Sequence, residues 1–186
     1  MADRRKKEDA QPDGKLQGEL KKRGPFDSLE QEAALNLLRT GDRLHNAIGR
    51  FLREYGLTTS QYNILRILRG EGGPLPSLEI ASRMIQVVPA ITGLVDRLES
   101  AGFVVRRRCQ EDRRVVYVEL SPQAVELLDR IDEPLRQAHR RLLKDFTKAE
   151  LSELIRLLEK SRAAIDRYEQ LPERATGSNG DSRGRR

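Results

Sequence analysis

The segment from Ile80 to Leu120, IASRMIQVVPAITGLVDRLESAGFVVRRRCQEDRRVVYVEL, constrains the fold more than any other part of the chain. It opens on a short helical pattern, in which Leu78, Ile80, Ala81, Met84 and Ile85 are the expected inward residues and Ser77 the cap. After a turn, Ile91, Leu94, Val95 and Leu98 recur at spacings of three and four, the period of a second helix. Pro89 falls in its first turn, where a missing N–H costs nothing, and Ala101-Gly102 supplies the stop. The apolar period then drops to two. Phe103 and Val105 alternate on one predicted strand, Val116, Val118 and Leu120 on the other, with a polar turn around Cys109–Arg113 between them. Helix, turn, helix and basic hairpin make a winged helix-turn-helix, so the expected class is mainly α with a small β-wing.

The flanks are helical. Ser28 with Gln31 forms a capping-box pattern behind Phe26, which is placed as a staple. Ala34, Leu37, Leu38, Leu44, Ile48, Phe51, Leu52 and Tyr55 then predict a helix of about 27 residues ending at Gly56, against a usual length of about 11–12. Helices that long in small proteins usually find a partner chain. A second helix follows Thr58-Thr59-Ser60, and a glycine-rich loop, residues 71–76, leads to the central segment. Beyond the hairpin, Ser121-Pro122 opens a helix with the stripe Val125, Leu128, Ile131, Leu135, Ala138, Leu142 and Phe146, which Pro134 is expected to kink. Thr147 with Glu150 caps a last helix along Leu151, Leu154, Ile155, Leu158 and Ile165.

Residues 1–24 and 173–186 lack hydrophobic period and read as disordered basic tails. The expected domain spans 25–172, with a lobe at 57–120 between terminal helical parts at 25–56 and 121–172. Charge sharpens this division. Of the net charge of +6, the two tails hold +3 and +2, which leaves +1 for the folded part. The overall balance is therefore poor evidence for a nucleic-acid partner. The hairpin is better evidence, since Arg106, Arg107, Arg108, Arg113 and Arg114 face only Glu111 and Asp112 there. Strand alternation puts Arg106, Arg107 and Arg108 on both faces, so at most some of them can touch one partner.

Several classes drop out. One cysteine excludes an intramolecular disulfide framework. No apolar run approaches the roughly 20 residues of a membrane span, and the N-terminus has no secretory pattern, so the chain is expected to be cytoplasmic, without a membrane partner. Two histidines, His45 and His139, have no Cys or Asp cluster at ligand spacing, so no metal or other cofactor is expected. No nucleophile elbow, phosphate loop or dinucleotide motif is present, and the chain does not read as an enzyme, with no catalytic residues assigned.

The run Pro89–Glu99 (PAITGLVDRLE), with Ile80-Ala81 before it, resembles the MarR family of bacterial transcriptional regulators. Gly102-Phe103-Val104, the wing motif Asp112-Arg113-Arg114, and Val118-Glu119-Leu120-Ser121 extend the resemblance. In layout it runs from about Phe26 to Tyr168. The resemblance implies a homodimer in which the first long helix and the two helices after the hairpin interleave. It also implies two lobes that read a pseudo-palindromic operator on double-stranded DNA. Such proteins commonly take a small lipophilic or phenolic effector between the dimerisation helices and the lobe, and some sense oxidants through cysteine. This chain departs from the pattern at two places. Gly93 stands where many members carry Arg, and Cys109 lies at the wing, whereas the oxidant-sensing cysteines lie in the first helix.

On this basis the first turn of the second helix would face a major groove with Val88, Pro89, Ala90 and Thr92, and Arg97 would meet phosphate. At the wing, Arg114 would enter a narrow minor groove and Arg113 a groove or phosphate position, with Asp112 orienting an arginine fork. His45, Ile48, Phe51, Tyr55 and Tyr62 are the candidates for an effector pocket, although core packing alone accounts for the same apolar stripe. The expected function is a dimeric, sequence-specific DNA-binding repressor relieved by a small molecule. The alternative is a winged-helix module that binds another protein and no specific DNA.

Overall fold

The computed structural model describes residues 15–86, 91–109 and 115–170. Its elements in chain order are α1 (Lys15–Glu19), α2 (Leu29–Arg53), α3 (Thr59–Glu71), β1 (Leu75–Pro76), α4 (Ser77–Ser82), α5 (Ile91–Ser100), β2 (Val104–Arg108), β3 (Val116–Leu120), α6 (Pro122–Leu142) and α7 (Lys148–Glu169). The class is mainly α with a small antiparallel sheet, as the sequence predicts. The chain divides into two compact units, Met1–Ala138 and His139–Arg186.

In the first unit α2 and α3 start where their caps predict. Ser28 Oγ accepts the Gln31 N–H at 3.2 Å, while the Gln31 side-chain oxygen accepts the Asp27 N–H at 2.9 Å, so the reciprocal bond falls one residue early. Thr58 and Gln61 close a full capping box at the start of α3. Gly72, at φ +76°, ends α3 with its N–H on the Leu68 carbonyl. The core gathers Leu52 from the end of α2, Leu57 from the turn after it, Ile64, Leu65 and Leu68 from α3, and Ile80 from α4. Val95 and Leu98 come from α5, Val104 and Val118 from the hairpin, and Leu128 and Ile131 from α6. Burying each such side chain stabilises the fold by roughly 1.5–3 kcal/mol before the entropy of ordering it is counted.

The sheet has the order β1-β3-β2, with both pairings antiparallel. β1 comes from the segment expected to be a glycine-rich loop: Leu75 and Pro76 pair with Val118 and Tyr117. Ser77 is not the cap of α4. Pro76 holds that position, and the Ser77 hydroxyl donates to the Val116 carbonyl at 3.3 Å, joining α4 to β3. Leu78 and Ile85, expected inside, are 82% and 80% exposed. Leu78 lies almost opposite Ile80 at 100° per residue, and Ile85 lies beyond the end of α4. The hairpin phase also differs from expectation. Val104, at 2% exposure, turns inward and Val105, at 46%, outward. β2 begins only after Gly102 (φ +76°), with the Phe103 N–H on the Leu98 carbonyl, and the ladder sets Val104 opposite Leu120 and Arg106 opposite Val118.

One flanking expectation changes as well. Residues 15–24 depart from the structureless arm expected of them. α1 forms there with Leu16 buried, and Glu19 pairs with Arg43 of α2 at 2.8 Å and with Arg39 at 3.6 Å. α6 continues as one helix through Pro134, the position of the expected kink. Its buried side carries Ala124 and Leu127 with Leu128, Ile131 and Leu135, while Val125 is exposed.

In the second unit, Thr147 and Glu150 close the expected capping box at α7. No residue of α7 is buried, and Ile155, Leu157, Ile165 and Tyr168 are exposed, as are Leu142 and Phe146 before it.

Candidate nucleic-acid interface

α4 packs on α5 in a helix-turn-helix arrangement, and α5 is its second helix. Val95 and Leu98 fasten it to the core, which leaves Thr92, Asp96, Arg97 and Ser100 exposed. At 100° per residue Thr92, Asp96, Gly93 and Arg97 fall within one arc of about 140°. Gly93 shapes that arc. A Cβ placed there would lie 3.8 Å from Nη1 of Arg97, so the guanidinium extends toward the N-terminal end of α5, across the bare glycine. Val88, Pro89 and Ala90 lie outside the described residues, as do Asp112, Arg113 and Arg114 of the wing.

The three arginines of β2 separate by the strand's alternation. Arg106 shares the inward face with Val104 and grips two carboxylates of α5. Its Nη1 donates to Asp96 at 2.5 Å, and its Nε and Nη2 donate to Glu99 Oε2 at 2.8 and 2.5 Å. Its backbone N–H donates to Glu99 Oε1 at 3.3 Å. The Arg106 guanidinium holds the Glu99 carboxyl below the ordinary glutamate range, and Glu99, with Asp96, raises Arg106 further. Arg107 turns the other way and reaches Glu119 at 3.4 Å. Arg108 lies on the same side as Arg106, is exposed, and has no ion pair among the described residues. Among the described residues, Arg97 and Arg108 are therefore the exposed cations of α5 and β2 without an ion pair. The carboxylates beside them are neutralised in part by Arg106.

The role of Arg106 escapes a linear reading. Its signal was there in the spacing, because Asp96 and Glu99 stand three apart on one helix face and Gly102 folds the next strand back along that face. The phase assigned to β2 hid it.

The effector candidates lie on α2 and α3. His45 shares a 3.4 Å hydrogen bond with Thr59 Oγ1 at the start of α3. Ile48, Phe51, Tyr55 and Tyr62 are half-buried against the core, and the Phe51 and Tyr55 rings stand 5.2 Å apart, tilted at 49°. Burial, and secondarily the charge of Asp132, pushes the Tyr62 phenol above its ordinary range. Asp132 is itself bonded to Arg69 of α3 at 2.7 Å, and Asp129 lies 3.5 Å from the same guanidinium, which ties α3 to α6.

Comparison with known proteins gives this arrangement its context. The family model described as "MarR family" matches residues 57–116, from the turn after α2 to the start of β3. An uncharacterised HTH-type transcriptional regulator of Bacillus subtilis, YkoM, is 33% identical over 110 residues, which cover 57% of this chain and 71% of that protein. The chain belongs to the MarR family. The homoprotocatechuate degradative operon repressor of Escherichia coli is 29% identical over 143 residues, covering 76% of this chain and 89% of the other. The crystal structure of a MarR transcription factor from Planctomyces limnophilus shares 44% identity, with a TM-score of 0.57 over 73% of this chain and 98% of that one. Membership makes this MarR-family protein a transcriptional regulator rather than an enzyme. Among the described residues no helix is long and apolar enough to cross a membrane.

Proposed function

We propose that this chain is a homodimeric repressor that binds a pseudo-palindromic DNA operator and is released from it by a small lipophilic or phenolic effector. The observation that carries DNA recognition is the joined α5–hairpin unit, with Thr92, Arg97 and Arg108 exposed around one junction. Thr92, with Val88, Pro89 and Ala90, reads base edges mainly through methyl contacts and shape, while Arg97 holds phosphate. Asp112, Arg113 and Arg114 at the wing supply the minor-groove contact. Two such units enter successive major grooves about one helical turn apart.

Pairing is supported by the apolar side chains that α2, the end of α6 and α7 leave exposed in the single chain. Release by an effector needs a ligand that prefers a non-binding arrangement of the lobes. The half-buried group Ile48, Phe51, Tyr55 and Tyr62, with His45 beside it, offers aromatic and hydrogen-bonding surface for such a ligand. The name of the Escherichia coli operon repressor supports repression as the sense of the output.

Selection of bound duplexes from a random pool tests the central claim. Binding is expected to favour one palindromic sequence by about 10³-fold or more over random DNA and to weaken steeply with salt. Recovery of no enriched sequence would overturn DNA recognition and favour the protein-binding alternative.

A further inference from the structure

We propose that Arg106 is a positioning residue for DNA recognition: by gripping Asp96 and Glu99 it fixes the hairpin on α5, so that wing and reading helix meet the duplex as one body. This rests on the DNA-binding function proposed above and says how that surface is held in register.

Three features of the junction carry it. The grip is multiple, because all three guanidinium nitrogens and the backbone N–H of one strand residue are bonded to two carboxylates three residues apart on α5. A planar guanidinium bonded in this way resists both sliding and rotation, which a single contact does not. The grip also sits at a lever point. Arg106 pairs in the ladder with Val118, which is fully buried, while Arg107 and Arg108 continue outward toward the wing turn. A small change of angle at Arg106 is therefore magnified at the tip. The third feature is electrostatic. Asp96 is exposed on the helix that would face phosphate, and two carboxylates there oppose DNA binding unless they serve a purpose. Holding Arg106 is that purpose, and it turns this guanidinium toward α5.

The sign of one result separates positioning from bulk charge. The full-length double variant Asp96→Asn, Glu99→Gln removes two negative charges beside the interface, and bulk electrostatics alone would tighten binding to every duplex. Positioning predicts that affinity for random duplex rises or holds while the ratio of selected to random affinity falls about tenfold or more. The exchange Arg106→Glu with Glu99→Arg is expected to recover most of the ratio that Arg106→Glu alone loses, with Asp96 unaltered in both. Thermal unfolding is followed in parallel, since a purely stabilising role would shift the midpoint and leave the ratio unchanged. An unchanged or raised ratio in the double variant, or no recovery in the exchange, overturns the positioning role while the DNA-binding function stands. If the unmodified chain enriches no duplex, both fall together.

Discussion

In the lobe between Leu57 and Leu120, side chains from α3, α4, α5 and the hairpin close on one another so that Ile64, Leu65, Ile80, Leu98 and Val118 are fully buried. In α7 the same residue types recur at helical spacing, yet none is buried, and Leu38 in the first half of α2 is 70% exposed. The difference lies in what each region needs to be complete. The lobe has elements on every side of its apolar face, whereas α7 and the start of α2 present apolar stripes that the single chain does not cover. A stripe of that kind is stable in water mainly when something packs on it. The lobe is thus complete within one chain, whereas the long helices leave apolar side chains exposed in it.

The largest test of this contrast removes a lobe core residue. Leu98→Ala is expected to cost about 2–5 kcal/mol of unfolding free energy in urea titration, because the surrounding core cannot close the cavity. Leu38→Ser is expected to change the stability of the isolated chain by no more than about 0.5 kcal/mol, as for other exposed sites. Equal losses at the two positions would end the comparison.

Association is the next measure. With Leu38→Glu and Ile155→Glu combined, sedimentation equilibrium at micromolar concentration is expected to give a monomer where the unmodified chain gives a dimer, and the unfolding midpoint of the unmodified chain should rise with protein concentration. A midpoint independent of concentration would mean that the apolar stripes serve something other than a second copy.

The helix caps sharpen the contrast at smaller cost. Thr58→Ala and Thr147→Ala each remove a capping box and are expected to cost about 1 kcal/mol. For Thr58 the loss should appear in the global unfolding of the lobe, which its core makes cooperative. For Thr147 it should appear first as faster amide exchange in the opening turns of α7, a helix without buried residues.

Much of this division was legible in sequence. Caps at Ser28, Thr58 and Thr147 and stops at Gly56 and Gly102 gave the long elements, because these signals are local. What the sequence hid was decided by contacts between elements. Val104 rather than Val105 faces inward because the ladder with β3 and the carboxylates of α5 set the strand's phase, and a run of valines and arginines reads equally well in either phase. Leu75-Pro76 becomes a strand only because β3 offers it an edge. Leu16 gains burial from the rest of the fold, which no periodicity in a five-residue helix could announce. Among the site residues, Thr92 and Arg97 stand exposed on α5, but their shared arc over Gly93 needed the helix phase and the side-chain direction as well.

The smallest effect to measure is protonation, and it compares the two regions carboxyl by carboxyl. Glu99 in the lobe is held below its ordinary range first by the Arg106 side chain. Glu150 at the start of α7 is held low first by the backbone N–H of Thr147 and then by its hydroxyl. For a carboxyl lowered in the folded state, the stabilising contribution is complete above the unfolded value of about 4.3 and is lost as pH falls through the lower folded value. Both contributions should therefore be intact at neutral pH and vanish only in acid. Carbon-detected NMR titration of the glutamate side chains is expected to show both groups titrating below the ordinary glutamate range. In Arg106→Gln the Glu99 midpoint should return toward the ordinary range while that of Glu150 stays. Thr147→Ala removes the hydroxyl but keeps the backbone N–H, so there the Glu150 midpoint should rise in part while that of Glu99 stays. If both midpoints move together in either variant, the groups report overall loosening, and the lobe would then not be the self-sufficient unit its buried core implies.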